Sequence, residues 1–291
     1  MRFAYHPSMC DPSHYIPLAR AVEEAGWEAL TFPDSICFPK EASSKYPYNK
    51  DGSNQFLEGV PFMEPFVMIP ALAAVTERLC FSTSVVKLPI RQPVLVAKQV
   101  ATLATMSNNR FVFGVGISPW HEDFEICGER WEGRGKRFDQ MIEIVRGLMS
   151  GEFFGYDSEY YQIPECKICP VPSAPVPILI GGQAEVALKR AARIADGWIS
   201  AGNDMEELTR LVQRIQQLRR EYGTDSRPFQ FHAITREAYT ADGIKRLEDL
   251  GVTECIISFR DIYNSQPDPS LQQKLDTIKW YTDEVIAKSR S

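Results

Sequence analysis

Apolar residues along this chain come in short uninterrupted runs, and most runs are followed by a stretch of helical spacing. Runs at 3–5, 28–32, 79–86, 110–115, 178–180, 197–200, 228–233 and 255–259 predict eight strands. Between them, helices are predicted over 14–25, 65–76, 93–106, 134–149, 185–195, 206–222, 241–250 and 271–287. The first shows the pattern well: Ile16, Leu18, Ala19, Val22 and Ala25 form one stripe, Ser13 stands ready to cap it and Gly26 stops it. Two stretches break the alternation. Residues 33–61 form a long polar loop rich in Tyr, Ser, Asn and Lys, a length uncommon for a loop without a function. Residues 153–177, rich in Tyr, Pro and Cys, read as an excursion inserted before the fifth strand.

Strands that are apolar throughout, rather than at alternate positions, are buried on both faces, as parallel strands are. Eight strand–helix units with no dividing linker predict a single-domain α/β fold over residues 1–291, the (β/α)8 TIM barrel. In that architecture chemistry sits at the C-terminal strand ends. The ends carry His6, Asp34, Ser84, Val85, Gly116, Ser118, Gly181, Gly182, Trp198, Ser200, His232 and Arg260. Gly181-Gly182 raises a separate question, because a helix follows it at once. The pair serves either a turn needing positive φ or an anion held by free N–H groups at the helix start, and the spacing alone does not decide.

Composition narrows the functions. With 32 basic against 38 acidic residues the net charge is −6, and no basic stripe invites nucleic acid. The first residues lack the apolar core of a signal peptide, no run of about 20 apolar residues could span a bilayer, and a cytoplasmic location is expected. Seven scattered cysteines suit a reducing compartment. The one C-x-x-C, Cys166 to Cys169, lacks the second pair that a structural zinc site needs. His6, His121, His232 and Asp34 come from separate loops without ligand spacing, so no metal is expected. Arg91, in PIRQP, is expected to order the turn before the third helix.

Three blocks, in order, carry a resemblance: "TERLCFSTSVVKLPIRQP" with its continuation to Gly128, "EGRGKRFDQMIEIVRGLMSGE", and "PILIGGQAEVALKRAARIADGW". Together they resemble the luciferase-like flavin and deazaflavin oxidoreductases, most closely the actinobacterial branch that uses coenzyme F420. The resemblance runs from about Glu64 to Trp198, with a looser fit outside.

The resemblance implies a fold, a cofactor and a set of residues. It implies that Gly181, Gly182, Gln183 and Ala184 meet the cofactor's phosphate, which favours the anion answer to the glycine pair. It implies a non-prolyl cis peptide at Ser84-Val85, bulging toward the cofactor ring, and Gly116 is also expected among the cofactor-binding residues. Asp34 matches an acidic residue that touches the cofactor's polar edge. Where many relatives then carry a histidine, this chain has Ser35, which cannot store a proton near neutral pH. A sugar-phosphate dehydrogenase is therefore a poor match. The acid some relatives carry after the fourth strand falls near Pro119; Glu122 is its nearest substitute, and the alternative reading makes Glu122 and Asp123 charges at a helix N-terminus. Expected catalytic residues are thus Asp34, Ser35 and Glu122, and the expected substrate pocket holds His6, Trp198, His232 and Arg260. The expected function is hydride transfer between coenzyme F420 and a small organic substrate, by a homodimer. The alternatives are an FMN-dependent monooxygenase, a non-catalytic flavin- or deazaflavin-binding protein and a metal-dependent barrel hydrolase.

Overall fold

A computed structural model describes residues 1–47, 52–261 and 266–290. In chain order the elements are β1 (Arg2–Tyr5), α1 (Tyr15–Glu24), β2 (Ala29–Phe32), α2 (Pro65–Ala73), β3 (Cys80–Thr83), β4 (Val86–Lys87), α3 (Pro93–Met106), β5 (Phe111–Gly116), α4 (His121–Ile126) and α5 (Arg134–Met149). There follow β6 (Phe154–Asp157), β7 (Gln162–Cys166), β8 (Ile178–Gly181), α6 (Glu185–Ile194), β9 (Gly197–Ile199), α7 (Met205–Glu221), β10 (Gln230–Ala233), α8 (Ala241–Leu250), β11 (Glu254–Ile257) and α9 (Leu271–Tyr281). Among the described residues, β1, β2, β3, β5, β8, β9, β10 and β11 pair in parallel and close into a ring, with β11 against β1. This is the (β/α)8 barrel. Residues 48–51, within the loop predicted at 33–61, lie outside the described residues.

Alternation along each strand divides the buried residues in two. Ala4, Ala29, Val112, Leu179, Ile199 and Ile256 point inward and form the small central cluster. Phe3, Phe81, Phe111, Phe113, Ile178, Ile180 and Trp198 point outward into the larger core beneath the helices. Capping groups set several helix starts: Glu64 accepts from Val67 N at 3.0 Å, Asp204 from Glu207 N at 2.9 Å, and Ser270 with Gln273 forms a capping box before α9.

Three elements depart from the sequence pattern. The predicted strand over 79–86 divides into β3 and β4, with the cis Ser84-Val85 peptide between them. The second helix stops at Ala73 rather than Thr76. The last turn is held differently: the guanidinium of Arg110 donates to the carbonyls of Ala73 and Thr76 at 2.9 and 3.1 Å. The excursion 153–177 contains an antiparallel hairpin, β6 with β7, seated on α5. On the outer faces of α2 and α3, Val67 is 72% and Leu95 64% exposed, the latter with Lys98 and Gln99 exposed beside it. No helix among the described residues is long and apolar enough to cross a membrane.

Candidate active site at the barrel mouth

The mouth is organised around Val85, the residue after the cis bond. A Cβ on Gly116 would stand 2.6 Å from Val85 Cγ2, and one on Gly181 would stand 2.9 Å from Val85 Cγ1. Both glycines, at the adjacent ends of the paired strands β5 and β8, therefore make room for the valine side chain. Beside it the Ser84 hydroxyl is buried without a partner among the described residues. Gly182 has φ +126°, a conformation that side chains rarely adopt, so the turn itself demands glycine. Immediately afterwards α6 begins, and Gly181, Gly182 and Gln183 remain half-exposed.

Around this cradle lie two charged clusters. Asp34 accepts from Lys87 N at 2.9 Å through one oxygen and from Arg91 Nη2 at 2.9 Å through the other. Arg91 also reaches Glu64 at 3.3 Å. Lys87 pairs with Asp123 at 2.7 Å, and Asp123 is bonded to the Ser118 hydroxyl. Sequence reasoning passed over Lys87 and read Asp123 only as a helix N-terminal charge, not as the partner of Lys87. Their signal was a lysine inside an otherwise apolar strand end, which must find a buried counter-charge.

The sequence-predicted residues then separate. His6 follows the last residue of β1. Its Nδ1 accepts from Ser8 N at 3.0 Å, which leaves the ring proton on Nε2, and burial pushes the imidazole down to about 4. His6 and Arg260 share a cavity of about 230 Å³ with Tyr5, Phe259 and Lys274, on the α9 side and apart from the glycine pair. Within it Arg260 donates to the Ser8 and Gln266 carbonyls. Ser35 is half-buried next to Asp34.

Four expectations need correction. The Asp34 side chain is 1% exposed, so it offers no surface to a cofactor edge; it ties the end of β2 to the segment after the cis bond. Glu122 is no free acid. Its Oε1 accepts from Ser43 N at 2.6 Å, Ser44 N at 3.1 Å and Ser43 Oγ at 3.2 Å, anchoring the loop after β2 on α4. Burial pushes its carboxyl up, but the Ser44 and Ser43 donors outweigh that and bring it down to about 2. Tyr46 of the same loop stacks on Trp120 at 5.3 Å. Trp198 lies on the outward side of β9, fully buried, with its indole N–H on the Gly182 carbonyl at 2.8 Å; it is core and not pocket wall. His232 faces the barrel interior, buried between Ile199, the last residue of β9, and Glu254, the first of β11. There it stands 3.0 Å from Glu254, which also meets Arg2 at 3.3 Å. Burial raises the Glu254 carboxyl, but His232 and then Arg2 hold it below its ordinary value.

Comparison with known proteins places this geometry. A family model described as luciferase-like monooxygenase matches residues 4–279. An uncharacterized protein of Mycobacterium tuberculosis is 51% identical over 99% of this chain and 100% of its own length. An F420-dependent glucose-6-phosphate dehydrogenase of Nakamurella multipartita is 30% identical over 72% of this chain and 58% of its own length. Among solved structures, a monooxygenase of Streptomyces bottropensis superposes with a TM-score of 0.76 at 15% identity, covering 99% of both chains. A coenzyme F420 dependent tetrahydromethanopterin reductase of Methanopyrus kandleri gives 0.72 at 16% identity, covering 98% of both.

Proposed function

Because this chain belongs to the luciferase-like monooxygenase family, whose members include oxidoreductases and monooxygenases, we propose that it is an oxidoreductase that binds coenzyme F420 and exchanges a hydride with a small organic substrate. One observation carries the site. At the mouth, a chain turn open only to glycine, at Gly182, stands beside the cis Ser84-Val85 wedge that Gly116 and Gly181 accommodate. The choice of deazaflavin over FMN rests on the relatives named for F420.

The residues present fit such a group. The unpartnered Ser84 hydroxyl is free to meet a polar atom, and Val85 with the two bare glycines leaves a flat apolar seat. The backbone N–H groups of Gly182, Gln183 and Ala184 open onto the helix start, where free N–H groups and the dipole favour a phosphate. Glu185, the first helical residue, would oppose an anion, but Arg214 at 2.6 Å and Lys189 at 3.6 Å neutralise it. When bound, the deazaflavin supplies the hydride chemistry. The protein's part is to bind, orient and exclude water. With Asp34 and Glu122 committed to structural bonds, neither is free to handle a proton; the half-buried Ser35 hydroxyl can relay one without storing it. The anchored loop after β2 is the wall that screens this hydroxyl. A homodimer that buries the exposed Val67 of α2 and Leu95 and Met106 of α3 completes the proposal.

Side-by-side titration with F420 and FMN, followed by intrinsic tryptophan fluorescence, tests this reading. Micromolar binding of F420 is expected, with FMN at least about tenfold weaker, a gap of about 1.4 kcal/mol. Tighter FMN binding, with oxygen consumed on reduction, would replace it by the monooxygenase reading.

A further inference from the structure

The N–H groups at the glycine pair serve an anion only if they point outward, and one buried contact bears on their direction. On β9, Trp198 lies in register with Ile180 of β8 and is fully buried. Its indole N–H donates to the Gly182 carbonyl at 2.8 Å. The Gly182-Gln183 peptide is not among the cis bonds, so it is trans and planar, and its N–H points opposite to its C=O. With the carbonyl drawn into the core by Trp198, the Gln183 N–H is turned away from the core and toward the mouth. Gly182 at φ +126° lets the chain make that turn. The Gln183 side chain is drawn aside, with its amide donating to Asn203 Oδ1 at 3.0 Å, so it leaves the N–H uncovered.

We infer that Trp198 is a positioning residue for anion binding: its indole N–H sets the orientation of the peptide that presents the Gln183 N–H to the cofactor's phosphate. The inference rests on the proposed function, which places that phosphate at the glycine pair. It assigns to Trp198 a role that neither a pocket wall nor plain core packing requires. A core tryptophan could exchange for another large aromatic ring. A positioning tryptophan cannot lose its donor, because a buried carbonyl left without a partner is free to rotate toward water and carry the N–H with it.

The test is Trp198→Phe in the full-length protein, since phenylalanine keeps an aromatic ring in the core and removes the donor. Equilibrium dialysis compares F420 with its riboflavin-like chromophore lacking the phosphodiester tail, and FMN with riboflavin. The wild type is expected to bind each phosphate-bearing form at least about tenfold more tightly than its phosphate-free partner. In Trp198→Phe that ratio is expected to shrink at least about fivefold, with phosphate-free binding within about twofold of wild type. An unchanged ratio overturns the inference, as does an equal fall in both affinities, which would mark general damage. A wild-type protein that binds both forms equally overturns the glycine-pair reading itself. Should Trp198→Phe not fold, indole hydrogen exchange in wild-type protein with ¹⁵N-labelled tryptophan decides. Slower exchange of the Trp198 N–H with F420 than with the phosphate-free chromophore supports the inference, and equal exchange overturns it.

Discussion

Gly116→Ala offers the sharpest check on how the mouth is packed. The added methyl would stand 2.6 Å from Val85 Cγ2, against 3.4–4 Å for an ordinary contact, so the valine or its strand must yield by about 1 Å. Overpacking of that size costs about 1–3 kcal/mol. Val85→Ala removes both valine methyls; Val85 is half-buried, so its loss is about 1 kcal/mol. In the double variant the nearest remaining Val85 atom, Cβ, is 3.7 Å from the new methyl, an ordinary contact. Gly116→Ala should therefore cost almost nothing in the Val85→Ala background, a coupling of about 1–3 kcal/mol between the two positions. Urea unfolding of the four proteins at a common slope measures it, and each kcal/mol should also move Tm by about 2–4 °C. Additivity within about 0.5 kcal/mol would refute the claim that Gly116 exists to admit Val85.

Three further outcomes are expected. The Glu122 carboxyl lies near 2 in the fold against its ordinary 4.5, so its contribution to stability is full above about pH 4.5 and fades as pH falls toward 2. Glu122→Gln should lose that part of the acid-stability profile, and tryptic cutting at the exposed Lys40 and Lys45 should quicken; identical profiles and cutting rates would deny the anchor. The His6 imidazole, lowered from 6.5 to about 4, favours the fold fully above about pH 6.5 and progressively less as pH falls to about 4. His6→Asn should remove this dependence, and NMR of wild type should show no His6 titration above about pH 5.5; titration near its ordinary value would contradict the burial. Val67→Glu with Leu95→Glu should convert the proposed homodimer to a monomer by light scattering at micromolar concentration, and a wild-type monomer would remove the dimer proposal.

The run of apolar residues at 178–180 and the stripe over 134–149 were readable because each is a local period, and both elements stand where the pattern puts them. The eightfold alternation then restricts the fold to a closed parallel sheet. The hairpin of β6 and β7 was also locally encoded: Phe154 and Tyr156 alternate with exposed neighbours, a period of two that the prolines and cysteines around it obscured. Position at a strand end likewise marks a residue as near the mouth, and the mouth does hold His6, Asp34, Ser84 and the glycines.

What each of those side chains does was decided only when the chain closed. Asp34 is spent on Arg91, 57 positions away, and Glu122 on Ser43, 79 positions away. No local pattern records which distant donor will claim a carboxylate's lone pairs. His232 shows the geometric side of the same limit. It is the third of four residues in β10, yet it lies level with Glu254, the first residue of β11. Barrel strands are tilted and staggered, so a position near one strand's end can share a layer with its neighbour's start. Trp198 was legible as a large residue on a buried strand. That its ring lies outside the barrel and its N–H meets Gly182 depends on the side-by-side register of β8 and β9. Hydrophobic periodicity is written residue by residue. The pairing of polar groups follows from the closed sheet, which brings together strand ends that the sequence keeps far apart.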